Sequence, residues 1–409
     1  MKKITLDKII NGLLYLYIFS LYFFTYVEGL FLISNGVLLL FLLLFWFNHI
    51  IKKEKIVFNK FLGLSIVFLF FVLISVLVAV DMNIAFGKFV TMIQIYIMMF
   101  TMVNYFDSKE KLYNVIRAFA ISGLLATVYL FSVSDFSNIK RFGEELGNQN
   151  AIAIILTIAA VFSLVIYNKE KKLWYLLFWL LMVIMIFLTG SRKGFIFILL
   201  GSVITFYSSY NINLKTILPV ALLIFILLIS FYYAIMNIEL FYNILGRRIE
   251  QMVEGAFGEG TTDGSFNTRM NMIKYGWDWF KEKPLFGYGI NNYRVLYSRI
   301  GFEGTYSHNN VIELLVSVGL IGTIIFYLSY LGVLVNAFKI RKEDRVLILA
   351  IVSIIIGYLI MSFGLVFYDS KHIAIIISMA SVIPILYKKS LNRSVSIKNI
   401  KGCENKNVE

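Results

Sequence analysis

The sequence predicts an all-α integral membrane protein with about twelve transmembrane helices and one long extracytoplasmic loop that carries amphipathic helices. The first observation is composition: 59% of the 409 residues are hydrophobic, and the mean hydropathy is +0.81. The second is spacing, because apolar runs of about 20 residues, the length that crosses a bilayer, recur almost from end to end. A soluble core could not bury so much apolar chain.

The polar interruptions between the apolar runs set the limits of the candidate spans. The spans run over residues 9–27, 30–47, 61–80, 84–104, 112–133, 150–167, 173–189, 194–210, 214–236, 308–336, 345–367 and 371–387. The chain then divides into N-terminal transmembrane helices (1–236), an extracytoplasmic loop (237–307), C-terminal transmembrane helices (308–390) and a cytoplasmic tail (391–409).

The basic residues follow membrane topology rather than a nucleic-acid surface. The chain has 38 basic and 24 acidic residues and a net charge of +14. If the N-terminus is cytoplasmic, 23 of the 38 basic residues fall in the short segments on the cytoplasmic side. Because short cytoplasmic loops carry an excess of lysine and arginine, both termini are predicted to be cytoplasmic. Membrane lipids are therefore expected as partners, and nucleic acid is not.

The long connection over residues 237–307 is predicted to lie outside and to contain two interfacial helices. Apolar residues recur there at helical spacing beside charged ones, as in helices that lie on a membrane surface. The first set is Leu245, Ile249, Met252 and Ala256, and the second is Met270, Ile273, Trp277 and Phe280. The glycine-rich residues 255–264 are predicted to form the loop between these helices.

Two basic residues break the topology rule in the short outer connection between the seventh and eighth spans. This connection has the sequence TGSRKG over residues 189–194, on the side where short loops normally avoid cations. Arg192 and Lys193 either reach lipid headgroups or bind phosphate at the first N–H groups of the eighth helix. Arginine offers a planar fork for bidentate contact with phosphate, and lysine offers a point charge.

A second outer connection, residues 134–150, also carries cations. Arg141 is its most informative residue, since it adds a positive charge on the same predicted face. Asn148 and Asn150 come just before the sixth span, and capping of that helix is the favoured interpretation for them. A role in a binding site is the alternative.

His308 has the chemistry of a proton acceptor. It lies where the long loop enters the tenth span. It is taken as the only histidine on the outer face, because His49 follows the second span and His372 opens the last. An imidazole with a pKa of about 6.5 can accept a proton from a hydroxyl near neutral pH. The alternative is that His308 only caps the helix.

Arg269 stands just before the second interfacial helix and joins Arg141, Arg192 and Lys193 in an outward-facing cationic set. Such a set beside one titratable group fits a diphosphate leaving group and a sugar nucleophile. A zinc site is disfavoured, because three scattered histidines and the single cysteine, Cys403, cannot supply its ligands. No metal and no cofactor are predicted.

At these residues the sequence resembles the O-antigen ligase and O-antigen polymerase superfamily of bacterial surface-polysaccharide assembly. The resemblance covers residues 140–335 in motif detail and the rest in hydropathy. Gln149 departs from the pattern, because members often have proline there. The matching stretches are TGSRKG at 189–194, GNQN at 147–150, and the ordered run Arg269, Trp277, Pro284, Gly287, Gly289, Ser307, His308, Asn309, Gly319 and Gly322.

The resemblance implies a metal-independent, inverting glycosyltransferase in the bacterial cytoplasmic membrane. Its donor would be a glycan on undecaprenyl diphosphate, its acceptor a second glycan, and a chain-length regulator protein is a further partner of such a polymerase. His308 would activate or orient the acceptor hydroxyl. The diphosphate-binding residues would be Arg192, Lys193, Arg269 and Arg141, and the supporting residues Ser191, Asn150 and Asn309.

Three functions remain open at this point. The chain is a polymerase of O-antigen or capsule repeat units, a ligase that transfers the polymer to a lipid core or protein, or a transporter or flippase of lipid-linked sugars. The motifs do not separate the first two, and the bias towards Ile, Lys, Asn and Tyr favours the polymerase. A transporter needs charged residues at mid-membrane along a path, whereas the charges here crowd the outer ends.

Overall fold

The computed structural model describes residues 5–24, 29–134, 142–143, 146, 148–209, 232–233, 235–242, 246–247, 250 and 264–404. These residues form helices and connections, with no strand among them. The helices are α1 (Leu6–Phe23), α2 (Phe31–Ile51), α3 (Lys60–Leu77), α4 (Met82–Tyr105), α5 (Lys109–Val133), α6 (Gln149–Glu170), α7 (Trp174–Leu188), α8 (Arg192–Ser209), α9 (Glu239–Phe241), α10 (Gly264–Glu282), α11 (Tyr293–Arg299), α12 (Asn310–Lys339), α13 (Arg345–Met361) and α14 (Lys371–Glu404).

The helices agree with the predicted spans to within a few residues wherever the structure describes them, with two exceptions: α13 ends at Met361, before the predicted end at 367, and α14 continues to Glu404, beyond the predicted end at 387. Among the described residues, eight helices are long and apolar enough to cross a membrane, and α7 and α13 are shorter apolar helices. The prediction of an all-α integral membrane protein is therefore confirmed. The predicted span at 214–236 lies mostly outside the described residues, as do most of the first interfacial helix and the glycine-rich loop at 255–264.

Helix α6 forms the centre of the bundle. In its apolar stretch 83% of the residues are buried, against 22% in α2, which lies at the periphery. Neighbouring helices approach α6 through glycines. A Cβ atom on Gly123 of α5 would lie 2.2 Å from the Cβ of Ala159, and one on Gly194 of α8 would lie 2.5 Å from the Cβ of Ala153. Small residues at these contacts let the backbones pack closely, as is usual in membranes.

The helix predicted over the second set of apolar residues is confirmed as α10, but it begins at Gly264, earlier than predicted. Arg269 therefore lies inside this helix and not before it. The helix packs on the first turns of α12, because a Cβ on Gly276 would lie 2.3 Å from Cγ2 of Ile312. The Tyr293 hydroxyl donates to the carbonyl of Met272 at 2.7 Å. Together these contacts hold the Arg269 helix against the membrane bundle.

Helix α12 is broken at Gly319, where φ is 73° and ψ is −174°. The carbonyl of Val316 accepts instead from the N–H of Tyr288 at 2.7 Å, and the N–H of Leu320 donates to the carbonyl of Pro284 at 2.8 Å. The turn over residues 284–289 thus replaces the missing helical hydrogen bonds, as buried backbone groups require. This break separates a short half-helix, residues 310–318, from the rest of α12. The half-helix begins directly after the loop that carries His308.

Gly319→Ala is expected to destabilise the protein by at least about 2 kcal/mol, since it combines a positive φ with a clash. A Cβ at this position would lie 2.1 Å from the carbonyl oxygen of Leu285. Gly332→Ala is the matched control, because no atom lies within 4 Å of its added Cβ. Thermal unfolding in detergent should show a lower midpoint for Gly319→Ala and an unchanged or higher one for Gly332→Ala. Equal midpoints would contradict the role assigned to the break.

Candidate active site

A polar cavity of about 500 Å³ opens at one end of the bundle. Its walls come from the ends of α1, α4, α6, α8, α10 and α14, from the connection before α12 and from the connection after α13. These are the helix ends that the sequence predicts to share the outer face. The cavity lining includes Lys88, Asn148, Asn150, Lys193, Arg269, Tyr306, His308, Glu313, Gly364, Tyr368, Asp369, Lys371 and His372.

A second polar cavity, of about 260 Å³, lies at the opposite ends of α1, α2 and α4. Its lining includes Asp7, Asn48, Lys52 and Lys111, all at helix ends predicted to be cytoplasmic. The two polar cavities therefore occupy opposite ends of α1 and α4, which agrees with the predicted alternation of the spans. Of the predicted site residues that the structure describes, none lines this second cavity.

The TGSRKG turn positions Lys193 by local backbone geometry. Gly190, at φ 61°, closes the end of α7, and its N–H donates to the carbonyl of Phe187 at 2.9 Å. Ser191 then accepts from the N–H of Gly194 at 3.3 Å, so the predicted supporting residue acts as a cap for α8. The Lys193 ammonium reaches the cavity and donates to the carbonyl of Gly364. An ammonium has three donors, so two remain for a ligand.

The other residues predicted at these turns lie in different places. Arg192 is half-buried at the first residue of α8 and is not among the residues that line the cavity. Arg141 lies outside the described residues. Asn148 caps α6 by accepting from the N–H groups of Asn150 and Ala151 at 3.0 and 3.1 Å, as the favoured interpretation predicts. Asn150 lines the cavity beside Asn148.

Arg269 lies in the second turn of α10 and lines the cavity. Within the part of the chain that the structure describes, its guanidinium has neither a carboxylate partner nor a hydrogen-bond acceptor. Its positive charge acts on Tyr306, His308 and Lys193. An arginine in this position can present its planar fork to an anion in the cavity.

His308 is held in a conformation that is rare for its residue type. Its φ is 54°, in the left-handed region that costs a non-glycine residue free energy. Its ring packs against Tyr306 with 4.3 Å between the ring centroids. Asn309, and not His308, caps α12, by accepting from Val311 and Ile312 at 3.0 and 3.1 Å. The capping alternative for His308 is therefore excluded, and its imidazole is available to the cavity.

The electrostatic surroundings of His308 favour its neutral form. Burial and the positive charges of Arg269 and Lys193 lower the pKa of His308 to about 4. The imidazole is then neutral at pH 7 and can accept a proton or a hydrogen bond. The same charges make the surrounding space attractive to an anion.

The loop that carries His308 is anchored on both sides. The N–H of Ser307 donates to Oε2 of Glu313 at 2.8 Å, and the Ser307 hydroxyl donates to the carbonyl of Asn309 at 2.8 Å. Asn310 is fully buried, and its N–H donates to the carbonyl of Ser362 at 2.7 Å. These bonds fix the orientation of His308 relative to the cavity.

His372 corrects the prediction that His308 is the only histidine on its face. His372 lines the same cavity, because the last span opens on the outer side when the spans alternate. Its side chain is buried, and its ring meets Tyr22 edge-on with 5.6 Å between the centroids. His308 remains the better candidate for proton transfer, since it is half-exposed and lies in the field of Arg269 and Lys193.

Four charged lining residues were missed by sequence reasoning: Lys88, Glu313, Asp369 and Lys371. Lys88 lies inside the predicted span 84–104, and a charged residue within a span is by default a functional candidate. That signal was present in the sequence. Asp369 and Lys371 lie between two spans, where charges are common, so nothing in the sequence singled them out.

The cavity has more positive than negative groups. Its lining includes the cations Lys88, Lys193, Arg269 and Lys371 and the carboxylates Asp369 and Glu313. This surplus suits a ligand with at least two negative charges. Among the described residues, no three histidine, cysteine or acidic side chains lie close enough together to hold a metal ion. The expectation of metal-independent chemistry stays a prediction.

Residues 176–327 match the family model described as O-Antigen ligase. The matched region runs from α7 into α12 and includes the TGSRKG turn, Arg269, His308 and the break at Gly319. The resemblance inferred from these motifs is thereby confirmed. Lys88 and Asp369 lie outside the matched region. No match is found among curated proteins.

Proposed function

We propose that this chain, whose residues 176–327 match the family model described as O-Antigen ligase, is a glycosyltransferase that joins oligosaccharides linked to undecaprenyl diphosphate. The observation that carries the proposal is one cavity lined by Arg269, Lys193 and His308. The reaction takes place on the outer face of the cytoplasmic membrane, with both termini in the cytoplasm. That orientation rests on the distribution of the basic residues.

In the proposed reaction, the oxygen of an acceptor hydroxyl attacks the anomeric carbon of the donor from the side opposite the diphosphate. The bond from that carbon to the diphosphate oxygen breaks, and its electron pair leaves with the diphosphate. Arg269 and Lys193 stabilise the negative charge that develops there, while Arg192 supplies positive charge beside Lys193. His308 takes the hydroxyl proton. Attack from the opposite side inverts the anomeric configuration, and no metal is needed.

Donor binding prepares His308 for its role. After burial, which has the largest effect, the charges that lower the pKa of this histidine are those of Arg269 and Lys193, the two residues proposed to hold the diphosphate. A bound diphosphate offsets their charges and adds negative charge of its own, so the pKa of His308 rises toward its ordinary value. The histidine therefore becomes a stronger base when the donor is in place.

The pH dependence of the reaction should show this coupling. The acid limb of kcat/KM for the donor reports the free protein, and it is expected near pH 4, where His308 gains its proton. The acid limb of kcat reports the complex and is expected at higher pH, because the bound diphosphate offsets the charges of Arg269 and Lys193. Initial rates measured over this range provide the check. Coincident limbs for kcat and kcat/KM would contradict the coupling.

A polymerase of repeat units is the favoured role, and a ligase is the second candidate because the matching family model is described as O-Antigen ligase. The products distinguish the two roles. A purified polymerase given only the lipid-linked repeat unit should produce a ladder of lengthened lipid-linked glycans. A ligase should leave the repeat unit unchanged until a lipid-core or protein acceptor is added. A transporter should yield neither product.

A further inference from the structure

We propose that Lys88 and Asp369 form the subsite that binds the hydroxyl groups of the acceptor sugar. This inference rests on the proposed transferase function and assigns to that reaction two residues that lie outside the matched family region. The pair would hold a neutral, hydroxylated ligand in the same cavity as the cations that hold the diphosphate.

Lys88 and Asp369 form an ion pair that lines the cavity. Lys88 lies in the second turn of α4, and Asp369 lies just before α14. The Lys88 ammonium is 2.5 Å from Oδ2 of Asp369, with side-chain exposures of 19% and 29%. Both residues line the cavity. The carboxylate has a second oxygen and the ammonium has further donors, so each can still bind a ligand.

Asn310 links Asp369 to the His308 loop. Its Oδ1 accepts from the N–H groups of Phe367 and Tyr368 at 2.9 and 3.0 Å, directly before Asp369. Asn310 itself lies two residues after His308, and its side chain is fully buried. One buried residue therefore fixes both the His308 backbone and the Asp369 segment. A sugar held by Asp369 would be placed at a defined distance from the imidazole.

The Lys88–Asp369 pair differs in net charge from the cations elsewhere in the cavity. Lys88 and Asp369 neutralise each other, whereas no ion pair neutralises Arg269 or Lys193 among the described residues. A neutral pair offers little attraction to a second diphosphate, but it presents an acceptor and donors to hydroxyl groups. The unpaired cations Arg269 and Lys193 thus suit the charged donor. The Lys88–Asp369 pair suits the neutral acceptor sugar.

Asp369→Asn is the most direct variant, because it keeps the shape of the side chain and removes its charge. The probes are the oligosaccharide released from the lipid donor and undecaprenyl diphosphate itself, each titrated against the purified full-length protein. Loss of one charge-assisted hydrogen bond should weaken oligosaccharide binding about tenfold or more. Binding of undecaprenyl diphosphate should be unchanged or tighter, since Lys88 is left uncompensated. Lys88→Gln should weaken oligosaccharide binding and leave undecaprenyl diphosphate binding unchanged.

The matched control is Asp278→Asn, which removes the carboxylate of an exposed pair with Lys281 at 3.2 Å. It should change neither affinity. Unchanged oligosaccharide binding in folded Asp369→Asn protein would overturn the subsite, and so would equal losses for both probes. Failure of the wild-type protein to bind undecaprenyl diphosphate would overturn the proposed transferase function instead. Oligosaccharide binding still decides the subsite in that case.

Discussion

Replacement of His308 by asparagine is expected to slow glycan transfer about 100-fold or more, the usual scale for loss of a general base. The protein should stay folded, because asparagine tolerates the left-handed conformation that His308 adopts at φ 54°. The cap of α12 also survives, since Asn309 supplies it. The measurement is the initial rate of transfer with saturating donor and acceptor, alongside the thermal unfolding midpoint.

Lys53→Asn is the control for His308→Asn. Lys53 also has a positive φ, 49°, but it is exposed at the end of α2 that lies far from the cavity. This variant should leave both the rate and the unfolding midpoint unchanged. A His308→Asn protein that transfers glycan at nearly the wild-type rate would remove His308 from the mechanism.

Arg269→Lys is expected to lower kcat/KM for the donor at least about tenfold even though the positive charge is kept. A lysine ammonium cannot reproduce the two parallel hydrogen bonds that a guanidinium makes to phosphate oxygens. Arg269 has no competing partner among the described residues, so its fork is free to bind the diphosphate. The fall should appear with undecaprenyl-diphosphate donors and should persist at high acceptor concentration.

Two further arginine-to-lysine variants are the references for the effect of Arg269→Lys. Arg299→Lys, at the exposed end of α11, should have no effect. Arg192→Lys should cause a smaller loss than Arg269→Lys, because Arg192 does not line the cavity. Equal activity of Arg269→Lys and Arg299→Lys would reduce the outer cations to lipid-headgroup contacts.

Hydropathy is a local property, so the positions of the spans could be predicted from the sequence. The predicted span at 84–104 corresponds to α4, Met82–Tyr105, and the span at 150–167 corresponds to α6, Gln149–Glu170. Counting the spans also predicted that Lys193, Arg269 and His308 lie on the same side of the membrane. Alternation along the chain is enough to place loops on one side of the membrane.

Contacts between distant segments could not be predicted in this way. Lys88 and Asp369 are 281 positions apart, and only the packing of α4 beside α14 brings them together. Likewise, the break in α12 depends on a carbonyl of Leu285 next to Gly319, which no local pattern reveals. Arg192 and Lys193 look equivalent in the sequence. Only Lys193 lines the cavity, because successive residues of a helix point in different directions.

If the cavity transfers a glycan from a lipid diphosphate, undecaprenyl diphosphate is released as each new glycosidic bond forms, and this release can be measured. Purified protein in vesicles is given the labelled lipid-linked repeat unit, and new glycosidic bonds and free undecaprenyl diphosphate are counted together. The expected result is one undecaprenyl diphosphate released for each new bond, with both products strongly reduced in Arg269→Lys and His308→Asn. Movement of the lipid-linked glycan across the vesicle membrane, with no new bond and no released diphosphate, would contradict it.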